Sequence, residues 1–203
     1  MQKTPYLTLS KTAEFEIEAI KGSRFIAIAA PVSSDEEAMR FIAQVKQRFS
    51  DARHWCWAYQ LREQKRSRFC DNGEPVGSAG KPILAPIVGQ QLFDTLVVVV
   101  RYFGGVKLGV GGLVRAYSQA ANAVLNEADI IQFIPKINLQ LSYAYEETGQ
   151  IAAALSALQL QQENLAYTDH VESTLAVTYD EADKVCQQLT DYTAGKIKIS
   201  RPE

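Results

Sequence analysis

The sequence predicts an α+β protein of two domains, and three patterns support that fold class. The β-branched apolar run at residues 96–102 is typical of a strand buried on both faces, and the apolar spacing over residues 112–128 is typical of an amphipathic helix. Toward the C-terminus, strand and helix patterns follow the order β-α-β-β-α-β. We therefore expect one domain at residues 1–134 and a second at residues 135–203, with the boundary at residues 130–135.

The first domain is predicted to open with a hairpin and a capped helix. The segments EFEIEAI and SRFIAIAAP read as strands, with Lys21 and Gly22 as the turn between them. Ser34 is a good N-cap, and Glu37 stands at the spacing that completes a capping box. We therefore expect an amphipathic helix from this cap to Phe49.

A third strand is predicted at residues 54–61, and a charged connection follows it. Alternation places His54, Cys56 and Ala58 on one face of this strand and Trp55, Trp57 and Tyr59 on the other. Residues 62–68 are polar and lack periodicity, so we expect them to form a mobile hairpin tip or a poorly ordered electrostatic arm. Lys81 and Pro82 then begin a short helix, because proline in the first turn loses no hydrogen bond.

The second domain is predicted from periodicity. The segments INLQLSYA, 161–167, 171–178 and KIKIS read as strands, and the segments EETGQIAAALSAL and DEADKVCQQLTDY read as helices. Their order along the chain is that of a ferredoxin-like domain.

The composition is that of an ordinary globular protein. Of the 203 residues, 47% are hydrophobic and 22% are charged, and no uninterrupted apolar stretch approaches the ~18 residues of a membrane span. The N-terminal residues lack the apolar segment of a signal peptide, and three cysteines without C-x-x-C spacing argue against a disulfide framework. We therefore expect a cytoplasmic protein that does not bind membranes.

Positive charge is concentrated in the first domain. Residues 1–134 hold 16 Lys and Arg against 13 Asp and Glu, whereas residues 135–203 hold 5 against 10. Residues 53–115 alone hold 9 basic and 4 acidic residues. A polyanion would therefore bind the first domain rather than the second. A solvated face of mixed charge explains the same counts.

Eight of the 12 glycines fall in two loops. Gly73, Gly77 and Gly80 lie in the first glycine loop, residues 71–80, and Gly104, Gly105, Gly109, Gly111 and Gly112 lie in the second glycine loop, residues 103–112. A glycine loop that opens a helix leaves backbone N–H groups unpaired, and with Arg101, Lys107 and Arg115 nearby it suits an anion. A tight strand-to-helix crossover without a ligand is the alternative. Neither loop is a known nucleotide fingerprint, because Val114 and Pro75 stand where those motifs need glycine.

Acid–base or metal chemistry around the first glycine loop is the other possibility. Asp71 and Glu74 could act with His54, but a carboxylate needs a raised pKa or a metal to act at neutral pH, and the sequence shows neither. His54, Cys56, Cys70 and Asp71 could hold zinc, but the spacing of structural zinc sites is absent. We expect no catalytic residue, no metal and no cofactor.

Aromatic and cationic residues are interleaved near the second glycine loop. Tyr102, Phe103 and Tyr117 alternate with the cations named above, and such a mixture suits stacking on unpaired bases beside phosphate contacts. The alternative is that Phe103 and one of the tyrosines belong to the core.

Three blocks of sequence resemble the IMPACT (imprinted and ancient) family in its bacterial, YigZ-type form. They are DARHWCWAY, DNGEPVGSAGKPIL and VVVVRYFGGVKLGVGGLVRAYSQA, and they span residues 51–120. Asn72 stands where the family commonly has a second Asp, and Ser78 where it has Thr. The resemblance implies an N-terminal domain like domain 2 of ribosomal protein S5, a β-sheet with helices on one face. It also implies a ferredoxin-like C-terminal domain, the pair resembling the last two domains of elongation factor G.

We expect a protein that binds RNA or the ribosome through its first domain and thereby influences translation or its regulation under stress. Phosphate contacts are expected from Arg53, Lys81, Arg101, Lys107, Arg115 and the backbone of Gly104, Gly105, Gly109, Gly111 and Gly112, with Tyr102 or Tyr117 stacking on a base. His54, Asp71, Gly73, Glu74, Gly77 and Gly80 are expected to shape the site.

Two alternatives to RNA binding stay open at this point. Eukaryotic members imply a regulator that acts through protein partners in the amino-acid-starvation kinase pathway. A small-molecule enzyme using His54, Asp71 and Glu74 is the other. In each case we expect the two glycine loops to meet and to line one concave surface.

Overall fold

The structure is a computed structural model, and it describes residues 4–63 and 66–201. The chain forms two compact units, of which the first is Tyr6–Phe133 and the second extends from Ile134. Among the described residues, no helix is both long enough and apolar enough to cross a membrane.

Over its described residues, the first unit contains a five-stranded antiparallel sheet, a two-stranded sheet and three helices. Its elements are β1 (Tyr6–Leu9), β2 (Ala13–Ile20), β3 (Ser23–Pro31), α1 (Asp35–Arg48), β4 (His54–Leu61), β5 (Arg66–Cys70), α2 (Gly80–Gly89), β6 (Thr95–Tyr102), α3 (Val110–Glu127) and β7 (Ile130–Phe133). The larger sheet has the order β2-β3-β6-β4-β5, and β1 pairs with β7.

Helix α1 begins at the predicted cap. The hydroxyl of Ser34 accepts a hydrogen bond from the backbone N–H of Glu37 at 3.1 Å. The Glu37 carboxylate reaches back to the N–H and the hydroxyl of Ser33, each at 2.7 Å, rather than to the N–H of Ser34. The capping box is therefore formed one residue out of the expected register, because Ser33 offers two donors.

Helices cover both faces of the five-stranded sheet. Helices α2 and α3 pack on the face that carries Cys56 and Ala58, and α1 packs on the face that carries Trp57 and Tyr59. The predicted alternation along β4 is thus confirmed. The expectation that helices lie on one face only is wrong, because alternate residues of β3, β4 and β6 are apolar on both sides and each side needs its own cover.

The charged connection after β4 is a strand rather than a free arm. Strand β5 pairs with β4 at the edge of the sheet, and Arg66 and Arg68 form ion pairs with Asp35. The guanidinium of Arg62 lies over the rings of Tyr6 and Phe93. The expectation of a mobile arm is therefore wrong for these arginines, since each is held by an aromatic or acidic partner. Residues 64–65, which belong to the same expectation, lie outside the described residues.

The second unit has the predicted element order. Its elements are β8 (Lys136–Tyr143), a 3-10 turn (Tyr145–Glu147), α4 (Thr148–Ala157), β9 (Gln162–Tyr167), β10 (Val171–Thr178), α5 (Tyr179–Tyr192) and β11 (Lys198–Ser200). The strands form one antiparallel sheet in the order β11-β8-β10-β9. Apolar residues of both helices and of the inner sheet face form its core.

Candidate functional site

Both glycine loops lie at the same end of the five-stranded sheet. Arg101, near the end of β6, pairs with His54 at the start of β4 and with Phe25 near the start of β3. Strand β5 runs antiparallel to β4 and therefore ends beside the start of β4. The first glycine loop follows β5 and the second follows β6, so the expected proximity of the loops is confirmed, while the concave shape stays a prediction.

A buried ion pair joins the first loop to the sheet. Glu74 Oε1 accepts hydrogen bonds from Arg101 Nη1 and from the Tyr117 hydroxyl, both at 2.7 Å. The side chains of Glu74 and Arg101 are only 4% and 5% exposed. Burial, together with neighbouring Cys56 and Glu74, raises the pKa of Tyr117 well above its ordinary value, so its hydroxyl stays protonated and keeps donating.

The same arginine connects the first loop to the second. Arg101 Nη2 donates to the Ser23 hydroxyl at 3.3 Å, and that hydroxyl oxygen also accepts from the backbone N–H of Gly104 at 3.1 Å. The rings of Phe25 and Phe103 flank the guanidinium at 5.5 and 5.6 Å. Ser23 was not expected in the site, and only the register between β3 and β6 reveals it.

Asp71 holds the first loop closed and caps α2. Its carboxylate accepts from the backbone N–H groups of Gly77, Ala79 and Gly80 at 2.8 to 2.9 Å. Partial burial favours the neutral carboxyl, but these three N–H groups outweigh it and hold the pKa of Asp71 below its ordinary value. Asp71 is therefore a fixed anion that supports the loop, and an acid–base role for it has no support.

His54 lies beside two residues of the first loop, Asn72 and Glu74. Its Nδ1 is 3.1 Å from the backbone oxygen of Asn72, and its Nε2 is 3.9 Å from Glu74 Oε1. Asn72 accepts a hydrogen bond from the Trp55 N–H through its side-chain oxygen at 3.1 Å. The amide thus anchors the first loop to β4.

The cysteines do not form a metal site with His54. Cys56 is buried on the α2–α3 face of the sheet, whereas Cys70 packs with the core on the α1 face. The Cys56 thiol donates to the backbone oxygen of Asp71 at 2.9 Å, and burial raises the pKa of this thiol to about 12. Two sulfurs on opposite faces of a sheet cannot bind one ion, and a neutral thiol is a poor ligand.

Two of the residues expected to contact RNA are buried. Arg101 is buried and paired with Glu74, and Tyr117 is buried with its hydroxyl on the same carboxylate. Neither can reach a phosphate or a base in this structure, so those two assignments are corrected. Tyr102 is half-buried, with its hydroxyl bonded to Asp51 and its ring beneath the Arg24 guanidinium.

Four of the predicted cations remain exposed around the loops. Arg53 directly precedes β4, Lys81 lies in the first turn of α2, Lys107 lies in the second loop, and Arg115 lies in the second turn of α3. Within the described ranges, none of the four forms an ion pair, and Arg115 Nε donates only to the backbone oxygen of Gly111 at 3.2 Å. The structure therefore leaves these charges facing solvent.

The glycines of the second loop serve two purposes. A Cβ on Gly104 would lie 1.9 Å from the backbone carbon of Gly22, so this glycine permits the close approach of two chain segments. Gly109 has φ +72° and is the N-cap of α3 without any side-chain cap. Gly105 and Gly111 are exposed with open space around them. Gly104 is therefore explained by the close packing of two chain segments and needs no ligand. The exposed remainder of the loop stays available to a ligand.

The fold and site together define a class of protein: two α+β units, the first of which has two glycine loops joined by a buried Glu–Arg pair. The family model described as the Impact N-terminal domain matches residues 21–125. The chain therefore belongs to the IMPACT family.

Relatives with this description match nearly the whole chain. It is 35% identical to the IMPACT family member YvyE of Bacillus subtilis, over 98% of this chain and 91% of that protein. It is 33% identical to the IMPACT family member YigZ of Escherichia coli, over 90% and 91% of the two chains. A solved structure titled as a hypothetical protein is 31% identical and superposes with a TM-score of 0.73, covering 98% of both chains.

Proposed function

We propose that the first unit binds RNA or the ribosome in the cytoplasm and thereby influences translation or its regulation under stress. One observation carries this proposal: the exposed, unpaired cations Arg53, Lys81, Lys107 and Arg115 cluster at the end of the sheet where both glycine loops lie. The carboxylates there, on Asp51, Asp71 and Glu74, are already bonded to the protein. This end of the unit therefore presents net positive charge to a polyanion.

The start of α3 strengthens the attraction for phosphate. Among the described residues, no side chain caps this helix, so its first backbone N–H groups and the positive end of its dipole are left for a ligand. Lys107 precedes the helix and Arg115 lies in its second turn. Backbone donors and cations in this arrangement suit a phosphate group of a nucleic acid.

The ribosomal part of the proposal rests on the domain comparison that the family implies. The strand order β11-β8-β10-β9 supports a ferredoxin-like second unit, as expected for a relative of the last domain of elongation factor G. The second unit is acidic, with 5 basic and 10 acidic residues over 135–203, so we assign the RNA contacts to the first unit.

The test is a titration of the full chain with labelled single-stranded RNA over a range of salt concentrations. Each phosphate contact should contribute about −0.7 to the log–log slope of affinity against salt. The double variant Lys107→Ala/Arg115→Ala should flatten that slope by roughly one to two contacts. A matched control, Lys11→Ala/Arg40→Ala, removes two exposed cations elsewhere on the same unit and should leave the slope unchanged.

A protein-binding regulator is the second candidate, and exposed valines favour it. Val76 is 97% exposed at the tip of the first loop, and Val106 and Val110 are 52% and 56% exposed in the second. A valine side chain has no hydrogen-bonding group or ring to offer a base, whereas it is buried readily against another protein. RNA binding that is undetectable or independent of salt would contradict the nucleic-acid proposal and leave this candidate.

A further inference from the structure

Strand β7 has an edge that no other strand covers within the described ranges. Its neighbour there is β1, with Leu7 opposite Gln132 and Thr8 opposite Ile131. The other edge of β1 is bonded, since the backbone N–H of Phe93 donates to the backbone oxygen of Leu7 at 2.9 Å. The two-stranded sheet therefore ends on β7, whose outward N–H and C=O groups are left for a further strand.

The side chains along this edge are almost all apolar. Four of the residues 130–134 are isoleucine or phenylalanine, each 38–47% exposed, and the fifth, Gln132, is exposed as well. The segment carries no charge, and Pro135 follows it directly. Folded proteins usually protect such an edge, because an uncharged apolar strand pairs readily with another strand.

The outer strands of the two larger sheets are protected in the usual ways. The second unit ends on β9, which pairs with β10 through a register shift, and on β11, which has three residues. The five-stranded sheet ends on two charged strands, β2 with Glu14, Glu16 and Glu18, and β5 with Arg66 and Arg68. Two copies of a charged strand would set like charges opposite each other, which is unfavourable. Two copies of β7 meet no such repulsion.

The sequence of β7 is complementary to itself. Opposite residues of an antiparallel pair share a face and faces alternate along a strand, so a twofold axis between two copies must pass through a residue. With the axis at Gln132, Ile131 lies opposite the partner's Phe133. Ile130 then lies opposite the partner's Ile134, and symmetry makes each contact twice. Every exposed apolar residue of the edge thus meets another one.

The polar residue is matched in the same register. The two Gln132 amides meet on the axis, where each has a donor and an acceptor for the other. An axis one residue earlier, at Ile131, would instead set the Asp129 carboxylate opposite a Phe133 ring. The register about Gln132 is therefore the favourable one.

We propose that β7 is the interface of a homodimer, in which the β7 strands of two chains pair antiparallel about Gln132. The pairing joins two ribbons into one four-stranded sheet, β1-β7-β7-β1, whereas a ribbon of two strands is marginal in water. An unrelated strand gains the backbone bonds but not the twofold match of side chains. The proposal goes beyond the proposed function and does not depend on it. With about five residues paired on each chain, the interface belongs to the small, transient class.

The test is sedimentation of the full chain up to a concentration of about 1 mM, which reaches weak complexes. The wild type should show a monomer–dimer equilibrium. Gln132→Lys and Gln132→Glu each set two like charges opposite each other on the axis, and each should raise the dissociation constant roughly fivefold. An equimolar mixture of these two variants should recover the dimer, because lysine then lies opposite glutamate.

A matched control separates the interface from a general effect of charge. Ser67→Lys adds a lysine at an exposed position of another edge strand, β5, and should leave the dissociation constant unchanged. Circular dichroism checks that each variant folds, as expected for changes at exposed positions. A wild type that stays monomeric up to about 1 mM would overturn the proposal, even if it captured another protein. A dimer that the Gln132 variants do not weaken, that their mixture does not recover, or that Ser67→Lys weakens equally would overturn it too.

Discussion

The two glycine loops reach the same end of one sheet but are built in opposite ways. The first is held by its own carboxylates: Asp71 binds three backbone N–H groups, and Glu74 is buried against Arg101. The second is anchored near its start, where Gly104 packs on Gly22 and donates to a serine, and its following residues are exposed. Glycine content alone therefore does not indicate a ligand site, since the glycines of the first loop belong to a segment that is held by hydrogen bonds within the protein.

The largest expected effect comes from breaking the anchor of the first loop. Arg101→Ala leaves the Glu74 carboxylate buried without its charge partner, and should lower the free energy of unfolding by about 3–5 kcal/mol. Arg115→Ala removes an exposed arginine and should change it by less than about 0.5 kcal/mol. Urea denaturation of both variants measures the difference. Equal stabilities would show that the buried pair does not support the fold.

Alanine substitution at two glycines of the second loop should change the free energy of unfolding in different ways. Gly104→Ala places a Cβ 1.9 Å from a backbone carbon, so the two segments must separate, and we expect a loss of roughly 2–4 kcal/mol. Gly111 lies in α3 with no atom within 4 Å of the added Cβ, so Gly111→Ala should be neutral or stabilising by up to ~1 kcal/mol. Thermal and urea unfolding compare them, and a stable Gly104→Ala would refute the close approach.

Asp71→Asn should have an intermediate effect that depends on pH. The amide would turn its NH2 donor toward N–H groups that in the wild type donate to a carboxylate oxygen, which should cost about 1–3 kcal/mol at neutral pH. Because the pKa of Asp71 is lowered by folding, its stabilisation is present above the ordinary carboxyl range and is lost as the pH falls through the folded value. The difference in the free energy of unfolding between the wild type and Asp71→Asn should therefore narrow in acid. A difference that widened would contradict the role of Asp71 as a fixed anion.

The smallest effect concerns the thiol beneath the first loop. Burial raises the pKa of Cys56 to about 12, so it should not react with a thiol reagent at neutral pH until the chain unfolds. Cys70 and Cys186 are only partly buried and should be modified first. Mass spectrometry of the labelled native protein locates the modified residues, and early modification of Cys56 would show that the loop opens.

Periodicity predicted most elements of the fold but not how they are arranged. The strands of the second unit and the long helix α3 could be predicted because their apolar residues recur at the spacing that burial of one face requires. Strands β1 and β7 were missed, because each has four residues and their pairing joins segments more than a hundred residues apart. The position of α1 was also missed, since an apolar helix stripe does not reveal which face of a sheet it covers.

The candidate site was predictable in its residue types but not in its pairings. Glu74, His54 and Arg101 were correctly placed near one another, because opposite charges flanked the same loops. The sequence could not show that Arg101 and Glu74 neutralise each other in the core, since that depends on the register of β6 against its neighbours. Ser23 gave no signal at all, as a single serine at the start of a strand matches no motif.

Hydrogen exchange of the full chain with and without single-stranded RNA tests the central claim most directly. The account predicts that RNA slows exchange of the backbone N–H groups in residues 103–115, where the second loop is exposed and α3 begins. The N–H groups of Gly77, Ala79 and Gly80 should be protected already without RNA, since they are bonded to the Asp71 carboxylate. Protection confined to residues 135–203, or no change in residues 103–115 at saturating RNA, would contradict the account.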